Sequence, residues 1–155
     1  MPVAIDQPVP TDIRLPATGD QTLGLGDFSG RRLVLYFYPK DATPGCTNES
    51  RDFAAQQEAF EAENTAIVGV SRDSVRSHER FRDKEGLPFD LLSDADEALC
   101  EAFDVIRMKN MYGKQVRGIE RSTFLIDENG LLRREWRKVK VPGHVAEVLA
   151  AVREL

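Results

Sequence analysis

Six consecutive apolar, β-forming residues, Leu33 to Tyr38 (LVLYFY), constrain the fold more than any other feature of the chain. A strand with one wet face alternates between apolar and polar residues. A strand covered on both faces does not, and such strands belong to sheets flanked by helices, typically parallel ones. Ala66 to Val70 (AIVGV) and Thr123 to Ile126 (TFLI) have the same character.

The segments between these strands read as helices. Thr47 to Glu63 is rich in Ala and Glu, with Phe53 and Phe60 two turns apart. Ser74 to Glu85 is strongly charged and stops at Gly86, a natural C-terminal cap. Ser93-Asp-Ala-Asp resembles a capping box, which predicts a helix from there to about Phe103. Val145, Val148, Leu149, Val152 and Leu155 make one face of a final amphipathic helix. Asp127-Glu-Asn-Gly reads as a hairpin turn from TFLI into an alternating strand over Leu132 to Val139. Thr11 to Phe28, broken by Pro16, Gly19, Gly24 and Gly26, predicts a hairpin or irregular edge. The order predicts an α/β protein of thioredoxin-like architecture, a central mixed sheet with helices on both faces.

A chain of 155 residues is the size of one domain, so residues 1–155 are expected to form a single unit with residues 1–8 as a loose tail. The net charge of -5 argues against nucleic acid or an anionic membrane as partner. Arg133, Arg134, Arg137, Lys138 and Lys140 are interleaved with apolar positions and read as the solvated side of a strand. No stretch approaches the roughly 20 apolar residues that span a bilayer. The opening MPVAIDQPVPTDI lacks a basic-then-apolar pattern, so the expected location is the cytoplasm, where thiols stay reduced. Two cysteines and two histidines (His78, His144), scattered along the chain, give no zinc-ligand spacing.

Cys46 stands out among them. Thr43-Pro44-Gly45-Cys46 follows the first buried strand and leads into a helix, so the cysteine is expected in the first helical turn or just before it. Free backbone N–H groups and the positive end of the helix dipole gather there. Both favour a thiolate, the nucleophilic form. The alternative is a small buried hydrophobe, which unpaired cysteines commonly are. The strand-to-helix position favours reactivity.

These residues resemble the peroxiredoxins. Pro39, Thr43 and Cys46 form P-x-x-x-T-x-x-C, YPKDATPGCT resembles the bacterioferritin comigratory protein (PrxQ) branch, and GIERSTFLID carries Arg121 where such proteins hold a catalytic arginine. The resemblance runs from about Val9 to the last helix. It implies a thiol-dependent peroxidase that reduces hydrogen peroxide and small organic hydroperoxides through a sulfenic acid at Cys46, with no metal, haem or flavin. It implies that Arg121 stabilises the developing charge, that Thr43 aligns the peroxide, that Pro39 shields the thiolate and that Glu49 orients Arg121. Taken singly, Arg121 would be a surface arginine beside a strand, Thr43 a helix cap, Pro39 a strand terminator and Glu49 a solvated glutamate.

The chain departs from the branch at its second cysteine. Arg51 stands five residues after Cys46 and Arg82 in the following helix, the two positions where members of the branch carry a resolving cysteine. Cys100 remains, expected at the edge of its helix's apolar side and among Asp96, Glu97, Glu101 and Asp104, which disfavour a thiolate. It reads as packing, with an atypical resolving role as the alternative. The favoured expectation is a one-cysteine enzyme, monomer or weak homodimer, recycled by an external thiol of the thioredoxin or glutathione/glutaredoxin type. A disulfide oxidoreductase would need C-x-x-C, which Cys46-Thr-Asn-Glu lacks. A stoichiometric redox sensor needs no peroxide-positioning residues. A cysteine–histidine hydrolase would need an oriented partner for His78 or His144, and none is evident.

Overall fold

The computed structural model describes residues 2–155. In chain order the elements are β1 (Leu15–Ala17), β2 (Gln21–Leu23), β3 (Arg32–Phe37), α1 (Pro44–Ala55), α2 (Gln57–Ala62), β4 (Thr65–Ser71), α3 (Val75–Glu85), β5 (Asp90–Ser93), α4 (Ala98–Ala102), β6 (Ile106–Met111), β7 (Lys114–Ile119), β8 (Ser122–Ile126), β9 (Leu132–Trp136) and α5 (His144–Arg153). Seven strands form one mixed sheet in the order β2-β1-β5-β4-β3-β8-β9, and β6 and β7 form a separate hairpin.

The three apolar runs are the centre of that sheet. β3 pairs parallel with β4 and antiparallel with β8. TFLI therefore reads apolar throughout because both its faces are covered, not because its neighbour runs parallel. Side chains alternate across β3: Leu33, Leu35 and Phe37 enter one apolar cluster, and Val34, Tyr36 and Tyr38 enter the other. The second cluster takes Phe53, Phe60, Phe81 and Val148 from α1, α2, α3 and α5. The first takes Leu99, Cys100 and Phe103 from around α4, together with Val9, Leu15 and Ile119.

Several boundaries differ from the sequence expectation. The helix expected at Thr47 opens at Pro44, because proline suits the first helical position, and it breaks at Gln56 into α1 and α2. Ser93 opens no helix, because it ends β5 paired with Ser71. The shorter α4 opens after Glu97, and the carboxylate of Asp94, three residues earlier, accepts from the backbone N–H groups of Leu99 (3.2 Å) and Cys100 (2.7 Å) in its first turn. In this five-residue helix Cys100 points into the core and is fully buried, rather than lying at the edge. The strand from Leu132 stops at Trp136, so Arg133 and Arg134 lie exposed on it while Arg137, Lys138 and Lys140 follow it. Within residues 1–8, expected as a loose tail, Val3 and Asp6 donate backbone hydrogen bonds to the carbonyls of Ala102 and Leu132, and Val9 just beyond donates to that of Gly130. Val9 is buried in the first cluster, which gives the segment its anchor.

Gly69 lies at the middle of β4, where a Cβ would sit 2.8 Å from both Leu91 Cδ2 and Tyr36 Cζ. Its absence leaves room for the Tyr36 ring, which stacks on Phe53 at 4.7 Å and shares a 2.8 Å hydrogen bond with Ser50, both on α1. The sheet and α1 are thus joined through one ring. Gly69→Ala is expected to cost about 1–3 kcal/mol by overpacking, seen as a lower urea midpoint at unchanged m-value.

Candidate active site

β3 delivers the chain to a short loop, Pro39 to Thr43, that turns into α1. Ala42 turns that loop with a left-handed φ of 63°, uncommon for a residue with a Cβ. Thr43 is the N-cap residue in extended conformation, Pro44 the first helical residue, and Cys46 completes the first turn. Thr47 N–H makes the first helical bond, to the Thr43 carbonyl at 2.9 Å. The N–H groups of Gly45 and Cys46 precede that bond and have no intrahelical acceptor. Cys46 is therefore where the sequence places it, and it is 1% exposed.

Arg121 stands between β7 and β8, far away in sequence, and crosses to the start of α1. Its Nη2 donates to Cys46 Sγ at 3.3 Å and its Nη1 to Glu49 Oε1 at 2.7 Å. Glu49, one turn after Cys46, is wholly buried. Gly45 permits the approach, since a Cβ there would lie 3.1 Å from Arg121 Nη2. That role of Gly45 was not anticipated, although its place immediately before the cysteine was the available signal. Arg121 is held in turn by the Val139 N–H, which donates to its carbonyl at 3.0 Å.

Burial pushes the Glu49 carboxyl up from 4.5 to about 7, against the pull of the Arg121 guanidinium. Burial also acts against the Arg121 cation, but Glu49 and Cys46 outweigh it, and its pKa is raised. Lys109 on β6 is a further cation here, unforeseen in the sequence. Its ammonium donates to the Ile119 carbonyl, and burial, then repulsion from Arg121, hold its pKa below the ordinary lysine range.

Cys46, Glu49 and Arg121 thus form one bonded group. Thr43 and Pro39 share its loop. The Thr43 hydroxyl donates to the Lys40 carbonyl at 2.9 Å rather than to the helix, which leaves its oxygen lone pairs free to accept. Pro39 is partly buried at the end of β3. Cys100 belongs to the cluster on the opposite face of the sheet from Cys46. Burial pushes its thiol pKa up strongly, and Asp94 adds to the effect.

Among the described residues neither histidine bonds Cys46. His144 Nε2 meets Thr123 Oγ1 at 2.8 Å, and burial lowers its pKa to about 4. His78, expected in a charged helical stretch, is fully buried and bonded to Asp41. Asp41, Asp73 and His78 bring ligand-type atoms within 4.8 Å of one another, but hydrogen bonds from Tyr38, Ser71, Ser77 and the Asp41 N–H already occupy the two carboxylates.

Because the folded Glu49 pKa lies above its ordinary value, folding favours its neutral form. The resulting contribution is complete below about 4.5 and is lost as pH rises through about 7. Relative to Glu49→Gln, which cannot ionise, the protein is expected to lose about 3 kcal/mol between about pH 4 and about pH 8, at about 1.4 kcal/mol per pKa unit. Parallel urea titrations of the two proteins measure the difference.

The AhpC/TSA family model matches residues 5–135. Over 142 residues the chain is 56% identical to Peroxiredoxin Bcp of Xanthomonas campestris, covering 92% of this chain and 89% of that protein. It is 49% identical over 155 residues to Peroxiredoxin Bcp of Bacillus subtilis, covering 100% and 98%. Among solved structures, a cysteine-to-serine mutant of Xylella fastidiosa PrxQ superposes with a TM-score of 0.94 at 44% identity, over 99% of this chain and 98% of that one. The X. campestris bacterioferritin comigratory protein, described for its alkyl peroxide reduction activity, gives 0.91 at 51%, over 97% and 98%. The fold is the thioredoxin-like one of these proteins. The chain therefore belongs to the AhpC/TSA family as a peroxiredoxin of the Bcp (PrxQ) branch, a thiol peroxidase with a peroxide as substrate and a thiol as reductant.

Proposed function

We propose that Cys46 is the peroxidatic cysteine of a one-cysteine enzyme that reduces hydrogen peroxide and small organic hydroperoxides. The observation that carries this is the Arg121 guanidinium, fixed by buried Glu49 and bonded to the Cys46 sulfur. The Cys46 thiolate attacks one peroxide oxygen. The S–O bond forms as the O–O bond breaks, and the other oxygen leaves as water or an alcohol once it takes a proton. Negative charge moves from sulfur to the leaving oxygen along that line. A fixed guanidinium can serve both ends without reorganising. The Thr43 hydroxyl supplies an acceptor for the peroxide O–H, Pro39 shields the sulfur from water, and Glu49 orients Arg121. Reduction of organic hydroperoxides is supported by the alkyl peroxide activity of the X. campestris relative.

The sulfenic acid at Cys46 then condenses with an external thiol, releasing water, and a second thiol cleaves the mixed disulfide. The thiols come from a donor of the thioredoxin or glutathione/glutaredoxin type. Arg51 is engaged by Glu85 at 2.5 Å, and Arg82 by the Leu87 carbonyl at 3.3 Å, where members of the branch carry a second cysteine. The Cys100 thiol is buried across the sheet. An internal disulfide between Cys46 and Cys100 is the second reading and requires α4 to leave the core.

Cys46→Ser is expected to abolish peroxide consumption, and Arg121→Ala to lower it by about 10²–10³-fold, as loss of a preorganised charge-stabilising donor does. Cys100→Ser should leave turnover unchanged. Non-reducing intact mass after one equivalent of hydrogen peroxide should show one added oxygen that a sulfenic-acid trap captures at Cys46. Loss of two hydrogens without trapping would overturn the one-cysteine route.

A further inference from the structure

We propose that Asp41 and His78 are positioning residues for the Cys46 loop, a buried polar clamp that holds the left-handed turn at Ala42 and thereby the placement of Thr43 and Cys46. The inference rests on the peroxidase reading for its catalytic consequence but not for its geometry. Asp41 lies in the loop itself, five residues before the cysteine, yet it is 7% exposed, and His78 on α3 is fully buried.

Every polar atom of the Asp41 side chain is engaged. Oδ1 accepts from the Tyr38 hydroxyl at 2.6 Å, and Oδ2 accepts from Ser77 Oγ at 2.8 Å and meets His78 Nδ1 at 2.7 Å. The Asp41 backbone N–H donates to Asp73 Oδ2 at 2.9 Å. On the other side of the ring, His78 Nε2 donates to the Leu92 carbonyl at 2.8 Å. Both ring nitrogens thus face oxygen atoms of the protein. The chain of bonds runs from the loop through α3 to the end of β5. It also reaches Asp73, just after β4, which accepts from Ser71 Oγ at 2.5 Å.

The clamp has something to hold. Ala42 sits at φ 63° and is exposed, so no packing of its own stabilises that conformation. A residue with a Cβ stays in the left-handed region when its surroundings over-determine it. Here the surroundings are the four bonds to Asp41, the adjacent residue. Removing His78 would leave a buried carboxylate short of a partner, which is strongly unfavourable. Opening the loop to water relieves that, and the loop carries Thr43 and leads directly to Cys46.

The test measures two rates in single-turnover experiments on the full chain. One is sulfenic-acid formation at Cys46 with hydrogen peroxide. The other is alkylation of Cys46 by iodoacetamide, read by peptide mass. His78→Gln should slow the first by about 10²-fold, the size of effect a misplacement of about 1 Å produces. It should speed the second, because the loop now uncovers the buried sulfur. Adding Ala42→Gly, which accepts the left-handed turn without the clamp, should recover about tenfold of the peroxide rate. A histidine needed merely for core stability would show no such rescue. Ser77→Ala, at the partly buried end of the clamp, removes one donor and should slow peroxide reaction about threefold to tenfold even if His78→Gln fails to fold. Wild-type rates for both reactions in His78→Gln, or in Ser77→Ala should His78→Gln not fold, would overturn the proposal, as would absence of rescue by Ala42→Gly. If the wild type forms no sulfenic acid, the peroxidase reading falls, and the alkylation rates still decide the clamp.

Discussion

A carboxylate taken wholly out of water costs several kcal/mol unless a cation and hydrogen bonds replace its hydration. Glu49 is in that position, and the Arg121 guanidinium is its partner. The rest of the site follows from this pair. Because Nη1 is committed to Glu49, the guanidinium plane is fixed and Nη2 is aimed at Cys46. Because Arg121 must reach the start of α1 from the β7–β8 junction, its guanidinium passes close to residue 45, where an added Cβ would lie 3.1 Å from Nη2. Because α1 carries both Cys46 and Glu49 one turn apart, the helix has to be docked rigidly on the sheet. The ring of Tyr36, with Gly69 behind it, contributes to that docking.

The pair is also poised rather than saturated. The second oxygen of Glu49, Oε2, is buried without a hydrogen-bond partner. An orphaned oxygen in a dry site resists ionisation, which is the structural origin of the carboxyl's rise to about 7. Protonating Glu49 would weaken its hold on Arg121 and leave the cation facing the sulfur alone. Ionising it would restore the fork. The same burial that aims the guanidinium therefore brings the aiming group near neutrality in pH.

Legibility from sequence followed burial. The strands covered on both faces, β3, β4 and β8, were readable from unbroken apolar runs, and α3 and α5 from their caps and faces. The hairpin β6–β7 was not, because Lys114 to Arg117 are all exposed, the one apolar residue Val116 included, and give no burial signal. Its one local mark was Tyr112-Gly113, both at positive φ, in the tight turn. β5 was missed because four residues held by neighbours on either side need little pattern of their own. The placement of Cys46 in the first turn of α1 was legible from local punctuation alone, while the roles given to Thr43 and Arg121 rest on the resemblance. The bond from Glu49 to Arg121 spans 72 residues, so no local pattern carries it. His78 was concealed by its charged neighbours. Its spacing from Phe81, three residues on, was the trace of a buried face, since both enter the side of α3 that meets the sheet.

α3 ties these threads together. It holds the Cys46 loop through Ser77 and His78, packs Phe81 against Tyr38, and pairs Glu85 with Arg51 of α1. Arg51 occupies one of the positions where members of the branch carry a second cysteine, and here it instead fastens α1 to α3. An enzyme that closes an internal disulfide must let part of its helical layer come away from the sheet. Each of these links opposes that motion on the Cys46 side, while Asp94 and the first apolar cluster oppose it for Cys100 on the other. A scaffold stiffened on both faces suits a cysteine that keeps one geometry throughout the peroxide step. On the proposed one-cysteine route, the reducing thiol has to reach a Cys46 that is 1% exposed.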